Sequence, residues 1–271
     1  MKTPIPLVVA GLVALLMAGC YSVPVTGRNA MILVDDKEVT KMSVSMFEGM
    51  KRQYRISRDP ELNARLRGVG ERLSRVVFWD MPDADWEFIV FDVPQINAFA
   101  MAGGKVGVFS GLFKIVKNDD QLAAVIAHEI AHVTAKHIHE KLSQEMAVNT
   151  VGAVGMIGGL AGGASGFAID ALSQAYGLTA TVGGLAFDRK KEKEADYIGL
   201  MYMARAGYDP EEAVRVLEAL EAQSAGGRAP AGLLSTHPSN PERIVQLLDA
   251  MPKARAEREQ SGVQNAPIIV R

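Results

Sequence analysis

The sequence predicts an α+β fold, mainly helical, with a small β-sheet next to one central helix. Three observations carry that reading. Aromatic residues make up only 6% of the 271 residues, and Ala, Leu, Met and Glu, good helix formers, are abundant. Apolar residues recur at helical spacing in several separate stretches. Between them, Trp86–Asp92 (W-E-F-I-V-F-D) reads as a strand. Asn97–Ala102 and Lys105–Ser110 follow it as a hairpin about Gly103-Gly104, a two-residue turn signal.

The first twenty residues stand apart. Lys2 supplies a short basic start, Ile5–Met17 an apolar run, and Ala18-Gly19-Cys20 a small-residue end, the layout of a secretory signal. The run is short for a membrane span, so residues 1–19 are expected to be cleaved as a lipoprotein signal peptide. An uncleaved N-terminal anchor is the alternative. Met17-Ala18-Gly19-Cys20 resembles a bacterial lipobox. That resemblance implies acylation of Cys20 and a lipid bilayer as partner, and Tyr21 in place of Asp implies the outer membrane, facing the periplasm. Cys20 is the only cysteine, so no disulfide can form within the chain.

Residues 20–34, with Pro24 and Gly27, read as an extended, lipidated tether. Residues 35–255 read as a single domain and 256–271 as an untidy tail. About 250 residues suffice for a sizeable core. The 29 basic side chains, 28 without Lys2, face 31 acidic ones. No basic stripe points to nucleic acid as a partner.

Along the domain, Asp35–Tyr54 places Val39, Met42, Met46, Met50 and Gln53 at helical spacing. Asp59-Pro60 opens a second helix to about Val77, with Leu62, Leu66, Val69 and Leu73 as its buried side; proline is tolerated at the first helical position. Leu112–Val116 leads into the central helix, which Asn118 and Gln121 start with a capping box and which is expected to run to about Met146. Ala147–Ile169 is uncharged and rich in glycine. It reads as a loop or lid over the site, or else as a membrane-contacting hairpin. A helix to Ala206 carries Glu192–Asp196. Glu211–Gln223 is amphipathic through Ala213, Val214, Leu217 and Leu220. Ser224–Ser235 reads as mobile and Pro241–Met251 as the last helix.

The central helix bears Ala127–His132, A-H-E-I-A-H. Residues four apart leave a helix from one face, so His128 and His132 can hold one ion together. Glu129 beside them is placed to act as general base, the pattern of a zinc peptidase. The surrounding Leu122, Ala123, Val125, Ile126, Ile130, Ala131 and Val133 make the stretch apolar, and buried histidines there need partners. His137 and His139 follow. No glycine breaks the helix to bring a third histidine round in the metzincin manner, and His139 is about 10 Å along the axis from His132. Both read as structural or exposed. Sixty residues on, Glu192 is a carboxylate suited to a third zinc ligand, leaving a fourth position for water. Asp196, one turn later, could accept the N–H of a ligand histidine. Glu194 points elsewhere.

These residues, with others, resemble the HtpX-like and Oma-type gluzincin metallopeptidases of peptidase family M48, most of all their periplasmic lipoprotein branch. The resemblance rests on P-V-T-G-R at Pro24–Arg28, N-A-F-A at Asn97–Ala100, G-G-K at Gly103–Lys105 and H-E-I-A-H-V-T-A-K-H at His128–His137. R-K-K-E-K-E-A-D at Arg189–Asp196, A-G-Y-D-P at Ala206–Pro210 and S-T-H-P-S-N-P-E-R at Ser235–Arg243 extend it. Asp188 replaces the usual Ser before the Arg, and Ala102 the usual Pro before the glycine pair. The family implies a zincin-like domain and an endopeptidase with one Zn2+ per chain. It further implies ligands His128, His132 and Glu192, base Glu129 and Asp196 as the partner behind a ligand. Unfolded or misassembled envelope proteins would be its substrates, in a bacterial envelope quality-control role; a membrane-anchored chaperone with a latent zinc site is the rival. The strand Asn97, Ala98, Phe99 and Ala100 is expected to hold an extended substrate by main-chain hydrogen bonds. His237, in a stretch stiffened by Pro238 and Pro241, is expected near the zinc, either filling the fourth position or donating to an oxyanion. Arg243 is the other candidate donor.

Overall fold

The computed structural model describes residues 20–144, 187–224, 233–237 and 241–261. Residues 1–19, the glycine-rich stretch 147–169, most of 224–235 and residues 262–271 lie outside the described residues, as do the expectations placed on them.

Side-chain caps start the helices. Asp35 accepts the N–H groups of Lys37 and Glu38 to open α1 (Asp36–Gln53), and Asp59 does the same with Glu61 and Leu62 for α2 (Pro60–Val76). Asn118 accepts Gln121 N–H at 2.8 Å at the head of α3 (Asp119–Thr134). Gln121 Oε1 reaches back to Lys117 N–H at 2.7 Å, so the return bond of the capping box falls one residue early. Asp188 caps α4 (Arg189–Arg205), which gives the departure from Ser at that position a physical role. The short α6 (Leu233–Thr236) lies between α5 (Glu211–Ser224) and α7 (Pro241–Gln260).

Strands β1 (Cys20–Ser22) and β2 (Asn29–Met31) form an antiparallel hairpin. The main sheet has the order β3 (Glu87–Phe91), β5 (Lys105–Phe109), β4 (Ala98–Met101), with β3 parallel and β4 antiparallel to β5. Among the described residues β4 is therefore an edge strand. Met101 pairs with Lys105, so the hairpin loop has three residues where the sequence suggested two. Gly103 and Gly104 both sit at positive φ, 84° and 81°, a region open to glycine at little cost.

Helices α3 and α4 pack together at the centre, with α2, α5 and α7 around them. Gly199 makes the approach possible, since a Cβ there would stand 2.9 Å from His128 N. A second, aromatic cluster of Phe47, Phe91, Phe99 and Phe109 fills the space between α1 and the sheet.

Several further expectations need correction. The buried stripe of α1 runs through Val39, Ser43, Phe47 and Met50, while Gln53 is exposed; the bulkier Phe47 takes the core in place of Met42 and Met46, which are only partly buried. In α5 the buried apolar residues are Val216, Leu217 and Leu220, with Ala213 and Val214 only partly covered. Residues 20–34 are not a free tether. Val23 and Ala30, each 1% exposed, join the main core, and Tyr21 donates to the Thr134 carbonyl at 2.7 Å. Finally, the C-terminal helix runs through Pro252 to Gln260. Ala254 is fully buried and Glu257 forms a two-pronged pair with Arg205 at 2.9 and 3.0 Å, so residues 256–260 belong to the fold rather than the tail.

The central helix also ends earlier than expected. α3 stops at Thr134, Lys136 adopts φ 53°, and helix resumes over residues 137–144. The left-handed residue does what a breaking glycine would do, at a steric cost that the surrounding packing overrides.

Candidate metal centre

α3 and α4 bring His128, His132 and Glu192 together, and the segment after α6 adds His237. One ligand atom from each of the four lies within 4.8 Å of the others. His128 Nε2 and His132 Nε2 are 3.1 Å apart. Glu192 lies 3.4 Å from His132 Nε2 through Oε1 and 3.6 Å from His128 Nε2 through Oε2. His237 Nδ1 is 2.9 Å from Glu192 Oε1 and 3.3 Å from His128 Nε2. Four ligands at zinc bond lengths of about 2.0–2.1 Å in a tetrahedron stand about 3.3 Å from one another. The donor set and its spacing fit zinc.

Charge is balanced around this cluster. Asp196 Oδ1 lies 3.0 Å from His128 Nδ1 and is gripped by Arg243 at 2.6 and 2.7 Å. Arg243 Nη1 also stands 2.9 Å from Glu192 Oε2, an ion pair by distance but outside hydrogen-bond geometry. Burial pulls His128 down, but Asp196 and Glu192 outweigh it and hold the imidazole up at about 10. Burial drives His132 well below its ordinary value. Burial works to raise Glu192, yet His237, His128 and His132 together hold it well below the usual carboxylate range. Asp196 is likewise held low by Arg243 against its burial.

Glu129 is 4% exposed, and burial pushes its carboxyl up. Its Oε1 takes no hydrogen bond from a described residue, the nearest imidazole nitrogen noted being His237 Nε2 at 3.5 Å. A raised carboxyl of this kind is suited to taking and returning a proton. Edge strand β4 flanks it: Ala98, Phe99 and Ala100 line a small pocket with Glu129, His132 and His237. Asn97, 1% exposed, has neither side-chain polar atom hydrogen-bonded to a described residue. A second, apolar pocket beside His128 and Glu129 is lined by Val125, Leu200, Met203, Val216 and Leu217.

The sequence reading missed part of this environment. His137 is fully buried and its Nδ1 lies 2.9 Å from His132 Nδ1, while His139 is buried with Nε2 3.0 Å from Asp36; neither is exposed. Phe187 stacks on His132 at 4.0 Å, and no local motif announces it. Arg243 pairs with both Asp196 and Glu192 and so clamps the two carboxylates. Cys20 starts β1, but nothing in the structure bears on its acylation.

A helix pair presenting two histidines, a glutamate and a further buried carboxyl group is consistent with the site of a zincin-like metallopeptidase. Residues 60–251 match Peptidase family M48, and the chain belongs to that family of metalloendopeptidases. Relatives include the mitochondrial metalloendopeptidase OMA1 of Schizosaccharomyces pombe, 34% identical over 241 residues (88% of this chain and 68% of the relative). OMA1 of Saccharomyces cerevisiae is 36% identical over 182 residues (65% and 50%). The beta-barrel assembly-enhancing protease of Escherichia coli K12 is 32% identical over 195 residues (69% and 38%). The chain thus spans about half or less of the length of several relatives.

Proposed function

We propose that the protein is a zinc endopeptidase that cleaves misfolded or unassembled envelope proteins at one zinc held by His128, His132 and Glu192. The observation that carries this is the buried Glu129 carboxylate, whose Oε1 has no hydrogen-bond partner among the described residues, beside that ligand set and next to β4. A zinc ion bound there supplies a Lewis acid that polarises the scissile carbonyl and lowers the pKa of water to about 7. Glu129 takes the proton of the attacking water and delivers it to the leaving amine, a cycle its raised carboxyl suits. An extended substrate pairs with the outer edge of β4 once the residues covering it move aside, a contact that reads backbone rather than sequence. Asn97, whose amide bonds no described residue, is placed to bond that backbone, and the apolar pocket beside Glu129 fits an apolar substrate side chain.

His237 completes a four-ligand set, and closed sites of that kind exclude a reacting water. We read it as a plug that keeps the enzyme latent until its segment moves. His237→Ala should then raise basal proteolysis while zinc is retained; a fall of about a hundredfold or more would instead make it an oxyanion donor.

The envelope assignment rests on Met17–Cys20, since relatives come from both bacteria and mitochondria, and on one relative's name as a beta-barrel assembly-enhancing protease. No helix among the described residues is long and apolar enough to cross a membrane; the assignment of attachment to a lipid on Cys20 rests on Met17–Cys20 alone. The test is the lipidated protein in outer-membrane vesicles, offered an unfolded and a folded outer-membrane protein, with Cys20→Ala alongside. Selective loss of the unfolded substrate, and loss of lipid labelling in the variant, are expected. Equal cleavage of both substrates would remove the quality-control reading, and unchanged labelling would remove the anchor.

A further inference from the structure

Behind His132 runs a hydrogen-bonded path that leaves the metal centre and ends in the N-terminal hairpin. His132 Nδ1 meets His137 Nδ1 at 2.9 Å. His137 Nε2 meets Glu194 Oε2 at 3.0 Å. Glu194 in turn accepts from Arg28 Nε at 2.8 and 3.0 Å and from the Thr26 hydroxyl at 2.8 Å. The far end of Arg28 is fixed by Glu140 at 3.1 and 3.2 Å.

We propose that His137 is a positioning residue for the zinc ligand His132, and that the loop Pro24–Arg28 locks it in that role through Glu194. The proposal rests on His132 binding zinc through Nε2.

Protons can be assigned along the whole path. A neutral imidazole that gives Nε2 to a metal carries its proton on Nδ1 and must donate there. His137 Nδ1 is then the acceptor, which puts the His137 proton on Nε2, where it faces a carboxylate. Glu194 accepts from a guanidinium and a hydroxyl, neither of which competes for that proton. Every donor meets an acceptor. In the reverse assignment, with the proton on His137 Nδ1, two N–H groups would collide across 2.9 Å and the Glu194 carboxylate would face a bare nitrogen.

The backbone is built for this contact at both ends. On a continuous helix His137, five residues after His132, would sit about 140° round the axis. The break at Ala135 and Lys136, with φ 53° at Lys136, returns the ring to the first histidine's side. At the other end Val25 holds φ 67° in a tight turn closed by Thr26 N–H to the Pro24 carbonyl at 2.7 Å. A β-branched residue there is strained, and such strain persists only where the surroundings over-determine the conformation. The turn presents Thr26 and Arg28 together to Glu194. The segment that begins at Cys20 is thereby a part of the metal centre's support.

The test uses the protein of residues 20–271 and measures zinc affinity by chelator competition, thermal midpoint without metal, and ring tautomers by 15N–1H correlation NMR. In the wild type the NMR should show His132 protonated at Nδ1 and His137 at Nε2. His137→Leu should weaken zinc about 10–100-fold, and His137→Asn, whose amide oxygen can stand in for Nδ1, should recover most of that loss. Glu194→Gln and Arg28→Met should weaken zinc less and should mix the His137 tautomers, a change that packing alone would not produce. A wild-type His137 protonated at Nδ1, or zinc affinity unchanged within about twofold in His137→Leu, would overturn the proposal. If His137→Leu does not fold, the wild-type tautomer and Arg28→Met still decide. Failure of the ligand assignment would show differently, as zinc binding that survives His132→Ala.

Discussion

His128 and His132 stand one turn apart on the same helix, yet what lies behind them differs. His128 is backed by a carboxylate, Asp196, clamped by Arg243, both side chains 5% exposed. His132 is backed by a second ring, His137, and the charges that close that path reach the surface, with the Arg28 side chain 35% exposed. The consequence is electrostatic. Anions opposite His128 hold it up at about 10 against its burial, whereas burial prevails at His132 and drives it well below its ordinary value. Two residues of one motif are tuned by their supports, not by the motif.

The contrast predicts unequal costs when each support is cut. Arg243→Met leaves Asp196 and Glu192 buried without their cation, and breaking a buried pair costs about 3–5 kcal/mol. Arg28→Met removes a partly exposed partner, where pairs contribute about 1 kcal/mol or less. Denaturant unfolding of the two metal-free variants measures the difference; equal losses would break the comparison.

A smaller effect sits at the contact of α4 with His128. The Gly199→Ala methyl group would press on the His128 backbone, which cannot swing aside as a side chain can. Overpacking of this sort costs about 1–3 kcal/mol. Because it displaces the chain at a ligand, zinc affinity should fall together with stability in the same unfolding and chelator measurements. Loss of stability with unaltered zinc binding would show that the helix spacing does not set the site.

The helices and His128, Glu129 and His132 were legible because each is written in local spacing; Glu192, sixty residues on, was legible only beside that helix and through the family resemblance. Asp35, Asp59 and Asn118 announce helix starts, and four-residue intervals put ligands on one face. What lay behind His132 was not legible. Seeing it requires that Lys136 leave the helix without glycine, that Val25 accept a left-handed turn, and that Glu194 meet Arg28 across 166 positions. The hairpin's docking was hidden for the same reason: Pro24 and Gly27 look like tether residues until Val23 and Ala30 find the core. Nor did Pro252 end the last helix, because Ala254 and Glu257 find partners beyond it.

The smallest expected effect is acid stability at the helix break. The Asp36 carboxyl is held below the usual carboxylate range, first by His139 and then by Lys136, against partial burial. A group depressed in the folded state contributes stability above its unfolded value of about 3.9, and loses it as pH falls through the folded value. The stability gap between wild type and Asp36→Asn should therefore be present at neutral pH and shrink as pH drops below about 4. It should stay small, because the Asp36 side chain is 60% exposed. A gap that does not change with pH would mean the contact is steric and not electrostatic.

The central claim is that one zinc at His128, His132 and Glu192 works with Glu129 as its base. The most direct measurement pairs zinc content with cleavage of an unfolded protein substrate, for wild type and Glu129→Gln under the same conditions. Both should hold one zinc per chain, and turnover should fall by about 10²–10⁴-fold only in the variant. Equal cleavage by the two proteins, with zinc bound in both, would contradict the account.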